Sequence, residues 1–225
     1  MHELDDFLQM YFPKLFLAPS LSDQCGVSLH FLFAKDMYQF NKDGSLNGQM
    51  FKKVYTQAFT LFSALFSKQD ELFLVTNVYQ NKRIIRLNGR LKVYDRRVKS
   101  KSLLSHLMQR TLPYPFEDEE DADQCVTSQF ILKCRVQDLR TSLLIKAACN
   151  EDFPSLKPRF GMPCSFTYPD LFFINSTKRL IYFIYGDRGC EIIATDKTIL
   201  QPIYEKYSCW LDDFGREHAA SLFAN

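Results

Sequence analysis

A chain of 225 residues that is 46% hydrophobic, with 21 Phe and 11 Tyr, can build a sizeable core without disulfides or a structural metal. Its formal net charge of +2 is too small for bulk electrostatics alone to draw it to nucleic acid or a membrane surface. The start, Met1-His2-Glu3-Leu4-Asp5-Asp6, is acidic where a secretory signal is basic, and no run approaches the ~20 apolar residues of a membrane helix, so a soluble, cytoplasmic protein is expected.

Leu4, Phe7, Leu8, Tyr11 and Phe12 recur at helical spacing until Pro13, which predicts a short helix over 3–12. Val27, Leu29, Phe31 and Phe33 then alternate with Ser28, His30, Leu32 and Ala34, predicting a strand whose second face carries His30 as an exposed or partly packed imidazole. After a turn at 41–45, an apolar stripe from Phe51 to Leu65 predicts a long helix near 50–66. The short run 72–75, behind a charged turn, is expected to be a central strand. Residues 82–101 hold nine Lys or Arg and one acid, a local charge of +8, and Asn88-Gly89 divides the β-prone runs 83–87 and 90–94 as a hairpin turn would. The acidic run 117–123, behind Pro113 and Pro115, predicts a solvated loop.

The second half opens with a strand at 127–135 and a helix at 138–149, with Asp138 as its N-cap. Residues 153–161 contain two prolines and are expected to be irregular. Strands follow at 171–174 and 180–185 around a turn at 175–178, a third at 191–194 after the turn 186–189, and a last helix over 197–214. Three strands in succession without helices between them pair antiparallel, which makes the fold α+β. The expectation is a single domain with a mixed, largely antiparallel sheet packed by several helices, in two loosely similar halves, about 1–110 and 125–225, joined by an acidic loop at 111–124.

Seven scattered cysteines, with no C-x-x-C pair, suit free thiols in a reducing compartment, and four dispersed histidines offer no ligand spacing, so no metal or cofactor is expected. Glycine-rich phosphate loops and the G-x-S-x-G elbow are absent, and no catalytic residue is assigned. The block 180–217 carries the candidate ligand or partner site: Asp187, Arg188, Cys190, Tyr204, Tyr207, Trp210, Asp213, Arg216 and Glu217. Arg188 beside Cys190 suits a thiol of lowered pKa, while a buried strand cysteine explains the same residue. Asp187 and Arg188 suit a carboxylate or phosphate ligand, or else organise a turn in which Gly189 takes a positive φ. Tyr204, Tyr207 and Trp210 lie at i, i+3 and i+6 of the last helix, as core packing or as an aromatic patch for a partner. The basic segment suits phosphate binding, with Tyr79 and Tyr94 as stacking platforms, but pairing with the acidic run accounts for it as well.

Three stretches in this block carry a family resemblance: Tyr185-Gly-Asp-Arg-Gly-Cys-Glu191, Leu200-Gln-Pro-Ile-Tyr-Glu-Lys-Tyr207 and Trp210-Leu-Asp-Asp-Phe-Gly-Arg-Glu217. They resemble an uncharacterised bacterial domain-of-unknown-function family, common in Bacillus-type bacteria, whose members read Y-D-D-R-G-C-D, L-x-P-L-Y-x-K-Y and W-I-L-D-Y-D-R-E. Gly186, Phe214 and Gly215 depart from that pattern. The resemblance implies one folding unit of bacterial cytosolic origin and brings no activity. The function expected is non-enzymatic protein binding, in an immunity-type role toward a toxin or effector. The alternatives are an enzyme acting on a small-molecule or phosphate ligand through the 187–190 turn, and nucleic-acid binding through 82–101. No oligomeric state follows from the sequence.

Overall fold

The apolar runs near 72, 171 and 180 become strands buried on both faces, which is why they show no polar alternation. In the computed structural model, which describes residues 3–84, 92–116, 118–160 and 169–224, the strands are β1 (Ser28–Leu32), β2 (Glu71–Asn81), β3 (Met108–Pro113), β4 (Cys125–Arg135), β5 (Asp170–Asn175), β6 (Leu180–Ile184) and β7 (Gly189–Ala194). They form one antiparallel sheet in the order β1-β7-β6-β5-β2-β4-β3. The helices are α1 (Glu3–Tyr11), α2 (Leu21–Gln24), α3 (Gly48–Leu65), α4 (Lys92–Arg97), α5 (Lys101–Leu104), α6 (Thr141–Cys149), α7 (Lys197–Tyr207) and α8 (Asp213–Phe223). The chain is a single α+β domain.

The period of two divides each strand between two cores. Leu72, Leu74, Leu171, Phe173, Tyr182 and Ile192 face the larger core, under α3, α6 and α7; Phe73, Val75, Phe172, Ile174, Ile181 and Phe183 face a smaller one, under α1 and α2. On β1 the same alternation sends Leu29 and Phe31 into the larger core and leaves Ser28 and His30 on the other side. Among the described residues no helix is long and apolar enough to cross a membrane.

Strand β2 runs past the expected end at Val75 because its polar continuation is paired internally. Asn77 donates to the Leu17 carbonyl at 2.6 Å and accepts from Gln129 at 2.9 Å, Gln80 donates to Ser128 at 2.8 Å, and Thr76 meets the Tyr94 hydroxyl at 2.6 Å. Strand β3, unforeseen in the sequence, adds an edge whose Arg110 spans Gln129 and both carboxylate oxygens of Asp5.

Four expectations are corrected. The described parts of the basic hairpin, Lys82–Ile84 and Lys92–Arg97, are helical, since Tyr94 and Val98 both enter the core, one helical turn apart; the Asn88-Gly89 turn lies outside the described residues. Tyr94 is fully buried and Tyr79 is packed against Tyr114 and Phe116, so neither stands on the basic segment as a platform for stacked bases. Asp138 ends a 3-10 turn, accepting from the Arg135 amide, and α6 starts only at Thr141. The last helix is two: α7 stops at Tyr207, Ser208–Trp210 form a 3-10 turn, and Asp212 caps α8. The basic and acidic runs meet where Lys82 donates to the Asp123 main-chain carbonyl at 2.6 Å, and among the described residues no ion pair joins them.

Candidate functional site

The break between α7 and α8 puts Asp212 beside the free edge of β1, where Leu211 bridges Phe31. Asp212 then does two jobs. One carboxylate oxygen accepts from the Gly215 amide as the N-cap of α8; the other accepts from Nδ1 of His30 at 2.6 Å. Nε2 of the same ring meets the Tyr185 hydroxyl at 2.6 Å, and that hydroxyl also donates to the Phe31 carbonyl at 3.3 Å. Burial, with Glu191 and Asp212 near, pushes the Tyr185 hydroxyl pKa up, so it acts as a donor and not as a base.

Two glycines make this junction possible. A Cβ on Gly215 would stand 2.6 Å from Asp212 Oδ1 and 2.9 Å from the His30 carbonyl oxygen. A Cβ on Gly189 would overlap the Phe31 carbonyl oxygen and the Tyr185 hydroxyl. Gly189 thus answers to close approach; the positive φ expected there belongs to Gly186, at 91°. A cavity of about 260 Å³ opens beside the junction, lined by Ser28, His30, Glu191, Asp212 and His218. Glu191 accepts from the Leu21 amide at 2.6 Å and the Ser22 hydroxyl at 3.1 Å, and Ser28 meets His218 at 3.2 Å. Among the described residues no three His, Cys, Asp or Glu side chains are grouped to hold a metal ion.

Replacing Asp212 with alanine strands the His30 ring and the Gly215 amide together. Urea denaturation is expected to show a loss of about 2 kcal/mol, above the ~1 kcal/mol of an ordinary cap.

The predicted site residues separate into three groups. Cys190 is fully buried, and burial drives its thiol pKa well up; it is a packing residue and not a poised nucleophile. Tyr207 is buried and stacks on Trp210 at 4.9 Å, while half-buried Tyr204 stacks on Phe223 of α8 at 4.7 Å; Trp210 lies beyond the end of α7, so the three rings do not make one helical stripe. Asp187, Arg188 and Asp213 each bond to the 33–39 segment, Arg216 pairs with Asp213, and Glu217 is exposed on α8. Asp187 is buried, which raises its carboxyl pKa, and accepts from the Gln39 amide at 3.1 Å. The Arg188 carbonyl accepts from the Phe33 amide at 2.9 Å, and its guanidinium lies 6.0 Å over the Tyr185 ring. Asp213 faces Lys35 and Arg216, each at 3.5 Å.

Gln39 and Lys35 belong to a hairpin over 34–47, closed by the Phe40–Leu46 bridge, of which the sequence predicts only the turn at 41–45. Ala34 (φ 47°), Asp36 (φ 67°) and Gly44 (φ 81°) take left-handed backbone there. Asn41 accepts from Gly44 at 3.0 Å and donates to Ser45 at 2.8 Å, Asn47 donates to the Tyr38 and Gln39 carbonyls, and the Ala34 amide donates to Gln57 at 2.7 Å. This frame holds out Tyr38, 81% exposed, and Phe40, 54% exposed. Isolated aromatics in a polar loop leave no periodic signal, so only the structure brings them beside Asp187 and Asp213.

The domain of unknown function DUF3885 matches residues 4–215. The chain belongs to that family. An "Uncharacterized protein YnaE" from Bacillus subtilis (strain 168) is 44% identical over 208 residues, covering 92% of this chain and 96% of that protein. No solved structure matches. The family match spans the His30–Tyr185–Asp212 junction whole, from α1 to Gly215.

Proposed function

We propose that this DUF3885 chain is a non-catalytic protein-binding protein whose contact surface centres on the 34–47 hairpin, rimmed by the 186–188 turn and the start of α8. One observation carries the reading: Tyr38 and Phe40 are exposed on a loop already fixed by its own hydrogen bonds. Aromatic anchors held in place before binding lose little conformational entropy on docking, and such residues dominate interface energies. Lys35, Asp36, Lys42 and Asp43 surround them with mixed charge, the polar rim that protein interfaces use. The buried, raised-pKa thiol of Cys190 speaks against chemistry at the 187–190 turn.

The test is co-purification from the native host, comparing the parent chain with Tyr38→Ala, followed by titration of the purified partner. Tyr38 makes no core contact, so the variant should keep its stability within ~0.5 kcal/mol and bind the partner about tenfold more weakly or worse. A monodisperse chain with no specific partner, or a partner indifferent to Tyr38, defeats the proposal. A toxin or effector as the captured partner would support the narrower immunity-type role.

A further inference from the structure

At the sheet end where β2 finishes, β5 begins and β6 runs into the 186–188 turn, a second cavity of about 250 Å³ joins aromatic walls to carboxyl groups. Tyr79 and Phe116 lie edge-to-face at 5.4 Å, Tyr114 braces both at 5.7 and 5.2 Å, and Tyr185 closes another side. Four carboxyl groups, Glu119, Glu151, Asp152 and Asp170, line the space against one guanidinium, that of Arg188. Among the described residues neither Glu119, Asp152 nor Asp170 forms an ion pair. The hydrogen bond found at the Asp170 carboxyl comes from the Tyr79 hydroxyl, an acid bound to a neutral donor.

We infer that this cavity is a binding site for an organic cation, a protonated amine or guanidinium with an apolar body. Ring faces attract cations through their quadrupoles, and a carboxylate without a cationic partner inside a partly desolvated pocket completes the recognition. The Tyr185 ring already faces one guanidinium, that of Arg188. The volume suits a small amine or the end of a basic side chain. The site shares the 186–188 turn with the rim of the proposed contact surface, and its occupancy is measured without any partner, so the two proposals fail independently.

Calorimetric titration of the purified chain at pH 8 with agmatine, putrescine and choline, and with a short arginine-containing peptide, tests it; citrate and inorganic phosphate are the anionic controls. At least one cation should bind saturably. Asp170→Asn and Phe116→Ala should each weaken it about tenfold. Affinity should also fall between pH 8 and pH 5.5 as Asp170 takes up a proton, in a cavity it shares with Glu119, Glu151, Asp152 and Arg188. Binding of the free amines points to a metabolite-sized ligand, and binding of the peptide alone to a basic side chain of a protein; both uphold the cation site. No saturable cation binding, binding indifferent to both substitutions, or preference for the anions overturns it. Asp170→Asn retains an acceptor for Tyr79 and gives up the buried charge, so a null result cannot be ascribed to misfolding.

Discussion

Replacing Asp170 with asparagine is expected to stabilise the protein at pH 8 and to flatten its stability profile between about pH 4 and pH 7. Burial pushes the Asp170 carboxyl from 3.8 up to about 7, only partly countered by the Tyr79 hydroxyl. In the unfolded chain the same group ionises near pH 4. Between these two values the folded state holds a proton that the unfolded state has lost, so the stability present below pH 4 drains away as pH rises and is gone above about 7. A shift of this size sets a ceiling on the order of 4 kcal/mol, and partial exposure of the carboxyl brings the expected gain in the variant to roughly 2 kcal/mol. Urea unfolding of parent and variant at pH 4.5, 6 and 8 checks it: the curves should agree at the acid end and part progressively toward pH 8. Parallel curves would mean that Asp170 ionises in the fold much as it does in water.

The same residue shows where sequence reasoning reached and where it stopped. The strands were legible because burial on both faces leaves nothing polar in Leu171 to Ile174 or Leu180 to Ile184, and helix α3 because its stripe is long. Asp170 sits one residue outside such a run, and its role depends on Tyr79 and Phe116, which lie 91 and 54 positions away in the chain. Contacts at that separation leave no local pattern. The 197–214 segment failed for another reason: its apolar spacing does continue through Trp210, but Asp212 finds both an amide to cap and an imidazole to hold, and these outweigh one more helical turn. The hidden strand β3 is half polar and has no buried side chain, since it lies at a sheet edge and Arg110 finds its partners across the fold.

In the signature block, the turn expected to hold a ligand mainly fastens two edges of the structure. Tyr185, Gly189, Asp212 and Gly215 are fixed by one another and by His30, which belongs to a strand more than 150 residues earlier. Tyr38 and Phe40 stand exposed outside this frame.

That frame is most exposed to failure at Gly189. An alanine there would drive a methyl group into the Phe31 carbonyl oxygen, so β1 must part from β7 at the residue pair Leu32 and Gly189, or β7 must bend into the core. Backbone cannot yield as a long side chain can. A loss of at least ~3 kcal/mol is expected, which for a chain of this length lowers the melting temperature by roughly 6–12 °C. Combining the substitution with Tyr185→Phe separates two causes, because it removes the tyrosine hydroxyl and leaves the carbonyl, with the ring carbon at 2.8 Å, in place. The double variant should therefore recover little. Gly26→Ala is the matched control: nothing lies within 4 Å of a Cβ there, and its melting temperature should stay within a degree or two of the parent. Full recovery in the double variant would shift the constraint from the β1–β7 backbone to the His30–Tyr185 hydrogen bond, and the glycine would then belong to the polar junction and not to the sheet.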